Sequence, residues 1–580
     1  MSEPSKTPTM SGWNLLGRWR SNRRLLMHDI ILIGIMAVLA GCGMIYEFLL
    51  SHYAARVLGA TEVAIFGVFT VMIASMGIGA FAAGRLKCAF SSFAWLELFI
   101  GLIGVSSILF IAGLIAFVYL LPSMIAETYG LHGISLSGGV INTLQWLAKN
   151  MPYLMAFILG VLIGAEIPLI ARVRESVYGM HLQNNTGTIY GADYIGAGIG
   201  ALLFVLFLLT MESSTAAVIT ASANILAGLL FYICYRKHIR FSTLLLLGHM
   251  IVASIIVTIA IKGPSWELEL EDMLYKDQVV IRIETPYQRV VVTKRIIDPA
   301  KAPVWYLYIN GHTQFSSLDE QIYHSMLTYP AMAASNRRER ILIVGGGDGL
   351  AARDVLRWNP EKVVLLELDP QVIQFFSEPL VQDGETVNLP LLQLNQYALQ
   401  DSRIDIRFGD AFLSVDQLLA QGSMFDTIIV DLPDPSHPDL NKLYSSRFYA
   451  KLHALLSGDG AIAIQSTSPY HAKEAFISIK KTVEHAGFKQ AEQYHTNVPS
   501  FGEWGWTIAT KSGKSAKQRL EAMPNLPIDD GWITKELMLG AFAFNQGFYD
   551  IEPEIQVNRI NSNLMIEYHR KGWAQYNDAQ

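Results

Sequence analysis

Residues Ile341 to Pro370 read ILIVGGGDGLAARDVLRWNPEKVVLLELDP, and this stretch decides the fold. The run Ile341, Ile343 and Val344 meets the cluster Gly345-Gly346-Gly347-Asp348-Gly349. A helical segment follows, then a second apolar strand, Val363 to Leu366, ending on Glu367. Strand, glycine turn, helix and strand make the first βαβ unit of a doubly wound sheet. Glycines let the backbone approach a ligand closely because no Cβ stands in the way. Glu367 lies 22 residues after Gly345, at a strand tip where a carboxylate accepts hydrogen bonds from ribose hydroxyls. A glycine-tightened turn in a purely structural sheet would explain neither Asp348 nor Glu367.

Beyond Pro370 the alternation continues. Strand Ile404 to Phe408 runs into Gly409-Asp410, strand Thr427 to Val430 into Asp431-Leu432-Pro433-Asp434-Pro435, and strand Ala461 to Ile464 into Gln465. Helices are expected over Gln371 to Glu378, Ser445 to Leu456 and Ala472 to Ala486, with last strands near 489–495 and 505–510. Upstream, Gln278 to Glu284, Gln288 to Thr293 and Val304 to Ile309 read as strands with a turn at Asn310-Gly311. A helix over Asp319 to Ala334 leads into Ile341. Ligands in such sheets bind outside the carboxyl ends of the strands. Asp348, Glu367, Asp410, Asp431 and Gln465 are therefore expected on one rim.

The amino-terminal half has a different composition. The 580-residue chain is 51% hydrophobic and 16% charged, with mean hydropathy +0.31, too apolar for a purely soluble enzyme. The net charge of −6 gives no basic footprint for nucleic acid. Three cysteines, Cys42, Cys88 and Cys234, form neither a disulfide framework nor a zinc spacing, and no metal is expected. Seven runs have the roughly 20 apolar residues that a membrane span needs: about 30–50, 62–84, 94–121, 151–171, 190–210, 215–235 and 242–262. The stretch 122–150 reads as a longer loop with a surface helix near Ile141 to Ala148. Glu47, Glu97, Glu166 and Asp193 lie in or at the edges of these spans. A charge in hydrocarbon is costly and faces the bundle interior, a partner or water. These acids read either as a cation path or as helix–helix hydrogen-bonding groups. The expected organisation is a polar arm (1–29), a transmembrane helical bundle (30–262), a small β-domain (263–334), a Rossmann-like catalytic domain (335–515) and a helical carboxyl-terminal segment (516–580).

The rim residues point to a ligand. Glu367 suits a ribose, and Asp410 after Gly409 suits the exocyclic amine of adenine. No lysine follows the glycines as a phosphate-cradling loop requires. Asp348 within the turn repels a pyrophosphate but attracts a cation. An adenosine bearing a sulfonium is favoured, which argues against a dinucleotide dehydrogenase. Amines are protonated near neutral pH, with a reference pKa of about 10.4 for a lysine-like amine. The pair Asp431 and Asp434 can attract such a cation and accept its proton before attack; a merely capped turn is the plainer alternative.

Over roughly Tyr287 to Lys511 the chain resembles the spermidine synthase family, the polyamine aminopropyltransferases. The resemblance lies in Tyr287-Gln288, Asn310-Gly311-His312-Thr313-Gln314, Asp319-Glu320 with Tyr323-His324, and Gly345-Gly346-Gly347-Asp348-Gly349. It continues through Glu367-Leu368-Asp369, Gly409-Asp410-Ala411 and Asp431-Leu432-Pro433-Asp434-Pro435. It implies transfer of an aminopropyl group from decarboxylated S-adenosylmethionine to a diamine such as putrescine, in a homo-oligomer, a dimer. It implies that Gln288, Glu367 and Asp410 hold the nucleoside beside Gly345 and Gly347, while Asp348 takes the aminopropyl ammonium. Asp431 with Tyr323 would deprotonate the attacking amine, which Gln314, His324, Asp434 and Gln465 would place. Leu432 and Pro433 stand where the family has small hydroxyl residues, and Phe501 where it has a tyrosine, so the acceptor amine stays open. The apolar half resembles the membrane portion of fused members through Tyr46-Glu47 and Tyr190-Gly191-Ala192-Asp193-Tyr194.

Two other readings compete with transfer. One is a polyamine transporter or sensor with a binding-only soluble domain. The other is an S-adenosylmethionine-dependent methyltransferase, whose substrate carboxylate this acidic rim would repel. The expected location is the inner membrane, multi-pass. Loop charge places the amino terminus inside, because Arg85, Lys87, Arg172, Arg174, Arg236, Lys237 and Arg240 all follow even-numbered spans. Seven crossings then put the soluble part outside, whereas a sulfonium nucleoside is made in the cytosol. The supply argument favours a cytoplasmic enzyme and a count of spans wrong by one.

Overall fold

The computed structural model describes residues 23–578 apart from 59–60, 129–137, 180–181, 183–184, 274, 276, 383 and 529–530. The chain divides into two units, Met1–Lys276 and Asp277–Gln580. Most of the expected polar arm, 1–22, lies outside the described residues, and Arg23 to Asp29 belong to the first helix.

The first unit holds helices α1 (Arg23–Leu58), α2 (Thr61–Ala83), α3 (Ala89–Thr128), α4 (Gly139–Tyr178), α5 (Asn185–Leu206), α6 (Ser213–Tyr235) and α7 (Ser242–Asp272). By length and composition, seven helices among the described residues are long and apolar enough to cross a membrane. Small residues let backbones touch, as expected for helices packed in lipid. A Cβ on Gly196 would stand 2.0 Å from the Ala37 carbonyl oxygen, and one on Gly164 2.0 Å from that of Met76. The basic ends are tied together. Arg174 is buried against Asp29 and donates to Asn185 Oδ1 at 3.0 Å, and Arg172 donates to the carbonyls of Ala83 and Leu86.

Two expectations for this unit are corrected. The segment 139–150 is not a loop with a separate surface helix; it forms the first turns of α4, whose helix continues through Pro152. The stretch 263–272 belongs to α7 rather than to a β-domain. Gly263-Pro264 reads as a breaker, yet the helix runs on, and Glu267 accepts a hydrogen bond from the Ser214 amide at 2.9 Å. That contact caps α6 and anchors the extension.

The second unit opens with a four-stranded antiparallel sheet in sequence order, β1 (Gln278–Glu284), β2 (Arg289–Arg295), β3 (Val304–Ile309) and β4 (His312–Ser316). Helix α8 (Glu320–Ala334) follows, buried along most of its length. The main sheet contains β5 (Arg340–Gly345), β6 (Lys362–Glu367), β7 (Ile404–Phe408), β8 (Phe425–Asp431), β9 (Leu456–Gln465), β10 (Ala491–Val498) and β11 (Gly502–Thr510). Their order is β10-β11-β9-β8-β5-β6-β7. The five strands from β9 to β7 are parallel, and at one edge β11 runs antiparallel to both its neighbours, β9 and β10. The β-branched strand cores Ile341 to Val344 and Ile428 to Val430 are 0–1% exposed, as befits strands covered on both faces. Helices α9 (Leu350–Leu356), α10 (Pro370–Ser377), α11 (Ala411–Ala420), α12 (Ser446–Leu455) and α13 (Lys473–His485) connect them.

The segment 516–580 is less helical than expected. Short helices at Ala516–Ala522 and Lys535–Gly540 precede α14 (Leu564–Asp578), with irregular chain between. Pro524, Pro527 and Pro553 and the left-handed Gly531 and Gly547 interrupt it.

Candidate active site

The sheet reverses direction of winding between β5 and β8, and there Asp431 pairs with Gly345, the position where such sheets bind ligands. Gly345 has φ +83°, and a Cβ on it would stand 2.1 Å from the Asp431 carbonyl oxygen. A Cβ on Gly347 would stand 2.8 Å from Glu367 Oε2. The turn is glycine because the two strand ends close on it.

On the β6 side, Glu367 Oε1 accepts from the amides of Leu368 and Asp369 at 2.8 and 3.0 Å, which leaves Oε2 toward the glycine turn. Burial pushes this carboxyl up to about 7. Gln288 donates to Asp369 Oδ2 at 3.3 Å, and Thr285 donates to the same oxygen at 2.6 Å, so the β1–β2 turn is tied beside Glu367. Asp410 caps α11 by accepting from the Phe412 amide at 2.9 Å, and its other oxygen is paired with Lys442. One lone pair on each oxygen remains for a ligand amine. Asp348 Oδ1 accepts from the Leu350 amide at 2.9 Å.

On the β8 side, Tyr323 donates its phenol to Asp431 Oδ1 at 2.8 Å. Burial pushes Asp431 up to about 6; the charge of His324 opposes the rise and that of Asp348 adds to it. Burial, and then the neighbouring Asp431, push Tyr323 well above its ordinary value. The phenol therefore keeps its proton and donates a hydrogen bond to the Asp431 carboxylate. His324 meets the Glu320 carbonyl at 2.8 Å and Glu320 Oε2 at 3.1 Å through Nδ1. Burial by itself lowers the imidazole, but the Glu320 contact and the charge of Asp348 outweigh it and raise it to about 9.

Asp434 accepts from Gln465 at 2.7 Å on Oδ1, and from Thr467 and His569 at 3.0 Å each on Oδ2. The Phe501 ring lies edge-on to Tyr323, 5.8 Å between centroids. Gln314 is turned to its own hairpin, donating to the His312 carbonyl at 3.2 Å. The structure thus pairs Asp431 with Tyr323 and Asp434 with Gln465 through direct bonds, with Phe501 against Tyr323, whereas Gln314 bonds within its own hairpin.

Several participants went unread in the sequence. His569 arrives on α14 from a segment with no motif. Lys442 and Thr467 lie in connections between elements. Thr467 carries φ +63°, rare for a β-branched residue; a left-handed backbone leaves no trace in residue type. Among the described residues, no group of three or more His, Cys, Asp or Glu is placed to hold a metal ion.

Comparison with known proteins adds to this geometry. The family model described as spermine/spermidine synthase domain matches residues 320–521. A polyamine aminopropyltransferase of Shewanella oneidensis is 52% identical, over 94% of this chain and 95% of that one. Polyamine aminopropyltransferase 1 of Streptomyces coelicolor is 31% identical, over 93% of each chain. A solved spermidine synthase in complex with the transition state analogue AdoDATO is 22% identical with TM-score 0.41, covering 48% of this chain and 89% of that one.

Proposed function

The chain belongs to the spermidine synthase family and is an aminopropyltransferase, and on that premise we propose that it transfers the aminopropyl group of decarboxylated S-adenosylmethionine to putrescine, from a unit anchored in the inner membrane. The observation that carries this reading is the Tyr323–Asp431 hydrogen bond at the glycine turn, with Asp434 three residues beyond. Glu367, with Gln288 beside it, takes the ribose side of the nucleoside and Asp410 its adenine. Asp348 takes the aminopropyl ammonium. Asp434, fixed by Gln465, Thr467 and His569, attracts the diamine. Asp431 accepts a proton from the attacking ammonium. The freed nitrogen lone pair forms a bond to the carbon beside the sulfonium, and the carbon–sulfur pair returns to sulfur, releasing neutral methylthioadenosine. A carboxylate raised to about 6 is well matched to accept a proton near neutral pH.

Membrane anchoring rests on the seven long apolar helices. A reporter active only in the cytosol, fused after Gln580, is expected to give signal, because that compartment supplies the sulfonium nucleoside; silence would make delivery through the bundle the leading idea. The activity itself is tested with the full-length protein, decarboxylated S-adenosylmethionine and a panel of amines, with products read by mass. Spermidine and methylthioadenosine are expected from putrescine. A product only from another amine would correct the acceptor, and methylated amine from S-adenosylmethionine would overturn the reading.

A further inference from the structure

Five helices of the first unit direct polar side chains into one interior region that aminopropyl transfer does not use. Tyr46 on α1, Glu97 on α3, Glu166 on α4, Asn224 on α6 and His249 on α7 are exposed by only 1, 0, 1, 1 and 4%. Asn224 donates to Glu97 Oε2 at 2.9 Å. The Glu97 Cβ and His249 Nε2 each lie 3.2 Å from the point where a Cβ on Gly228 would stand. The Tyr46 ring closes on α3, 2.3 Å from the position of a Cβ on Gly104. Glu166 interacts electrostatically with Glu97 and with Asp193, and Tyr46 with both glutamates.

Each of the five keeps a buried polar atom without a partner: Tyr46 Oη, Glu97 Oε1, Glu166 Oε2, Asn224 Oδ1 and His249 Nε2. Their chemistry is one-sided. Carboxylate and amide oxygens accept. His249 Nδ1 faces the Leu245 carbonyl at 2.9 Å, so Nδ1 carries the proton and Nε2 of the neutral ring presents a lone pair. The Tyr46 hydroxyl can also donate, and a carboxyl does so only while it is protonated, the proton whose place an ammonium takes. Buried acceptors left unpaired in hydrocarbon are costly, and the buried guanidinium of this unit, Arg174, is committed to Asp29 and Asn185. The set calls for a cation that offers several hydrogen-bond donors and no acceptor. An alkylammonium has the required chemistry, and it is the chemistry of the amines that the second unit handles.

We propose that Tyr46, Glu97, Glu166, Asn224 and His249 form a binding site for the ammonium group of a primary or secondary alkylamine, such as the end of a polyamine, inside the helical bundle. The proposal rests on the reading of this unit as a membrane bundle and on its amine substrate class. It gives the bundle a role of its own, the capture of the amine that the enzyme consumes or makes.

The test uses the full-length protein in lipid nanodiscs and dicyclohexylcarbodiimide, which modifies carboxyl groups in apolar surroundings, with adducts located by peptide mass. Saturating putrescine or spermidine is expected to lower the adducts on Glu97 and Glu166 about tenfold, since a ligand at about ten times its dissociation constant leaves about a tenth of sites open. Labelling of Glu47, outside the cluster, stays unchanged. Tetramethylammonium has the charge without an N–H donor and gives no protection. Asn224→Ala weakens protection while aminopropyl transfer by the same sample continues, which shows the variant folded. The proposal is overturned by adducts that ignore the amines, by equal protection from tetramethylammonium, by a parallel fall at Glu47, or by no labelling of either glutamate without amine. Transfer activity, read on the same sample, reports separately on the proposed enzyme reaction.

Discussion

Tyr323 and Asp431 stand 108 residues apart in the chain and are joined by a 2.8 Å hydrogen bond at the carboxyl end of β8. The phenol, pushed well above its ordinary range by burial, keeps its proton and donates a hydrogen bond to the carboxylate. Its donation favours the charged carboxylate and holds Asp431 lower than burial would leave it.

This fixes the sign of a pH effect. The deprotonated base is required, so kcat/KM is expected to rise with pH through about 6, the value of Asp431. Tyr323→Phe removes a donor to the charged form, so the acid limb moves to higher pH. Turnover at neutral pH falls by about tenfold or more, since hydrogen bonds to charged groups contribute about 1.5–3 kcal/mol. The pH–rate profiles of parent and variant check this; a limb moving to lower pH would contradict it.

The donor density at Asp434 makes His569 a positioning residue. It supplies one of three donors and comes from α14, outside the main sheet. His569→Ala is expected to raise the acceptor KM about tenfold with decarboxylated S-adenosylmethionine binding unchanged. His569→Gln, which keeps a donor, recovers part of the loss. Equal losses for both substrates would point to a purely structural role.

Beneath the site, Arg353 donates to both oxygens of Glu320 at 2.8 and 3.0 Å and also to Asp354. Burial would raise Glu320, but the bonds from His324 and Arg353 outweigh it and hold the carboxyl at about 2. Its stabilising contribution is full above the ordinary value of 4.5 and is lost as pH falls through about 2. His324, raised from 6.5 to about 9, contributes fully below 6.5 and loses that contribution as pH rises through about 9. Arg353→Met is expected to cost about 3 kcal/mol, because it strips the buried Glu320 and Asp354 of their shared guanidinium and leaves Glu320 to His324 alone. Denaturant unfolding measured across pH tests both statements.

Co-substrate choice follows from the acids at the turn. The carboxylate of S-adenosylmethionine would meet Asp348 and Asp431. Like charges about 4 Å apart at an effective dielectric near 20 interact by about 4 kcal/mol, so it is expected to bind at least about a hundredfold more weakly than its decarboxylated form. Calorimetry on the full-length protein measures the ratio, and comparable affinities would contradict it.

Much of this was legible before the fold. The glycine turn, the acid at the tip of β6 and the Asp431–Asp434 pair are local patterns whose placement at strand ends follows from αβ alternation. The long apolar runs announced seven helices. Helix limits were less legible, because Gly263-Pro264 reads as a stop while the Glu267–Ser214 contact is made only by tertiary structure. His569, Lys442 and Thr467 were hidden for the same reason: distant elements bring each to the rim, and no local spacing marks them. Nor could the spans alone show that Tyr46, Glu97, Glu166, Asn224 and His249 share one interior region.

Asp431→Asn tests most directly whether Asp431 takes the proton from the attacking amine. Asparagine keeps the shape of the side chain and cannot accept that proton. The variant is expected to bind decarboxylated S-adenosylmethionine with an affinity close to the parent's, by calorimetry. Turnover with the acceptor amine should fall about 10²-fold or more, the range that general-base catalysis supplies, and the remaining activity should lose the acid limb near 6. Turnover equal to the parent's, with the limb intact, would remove Asp431 from the mechanism.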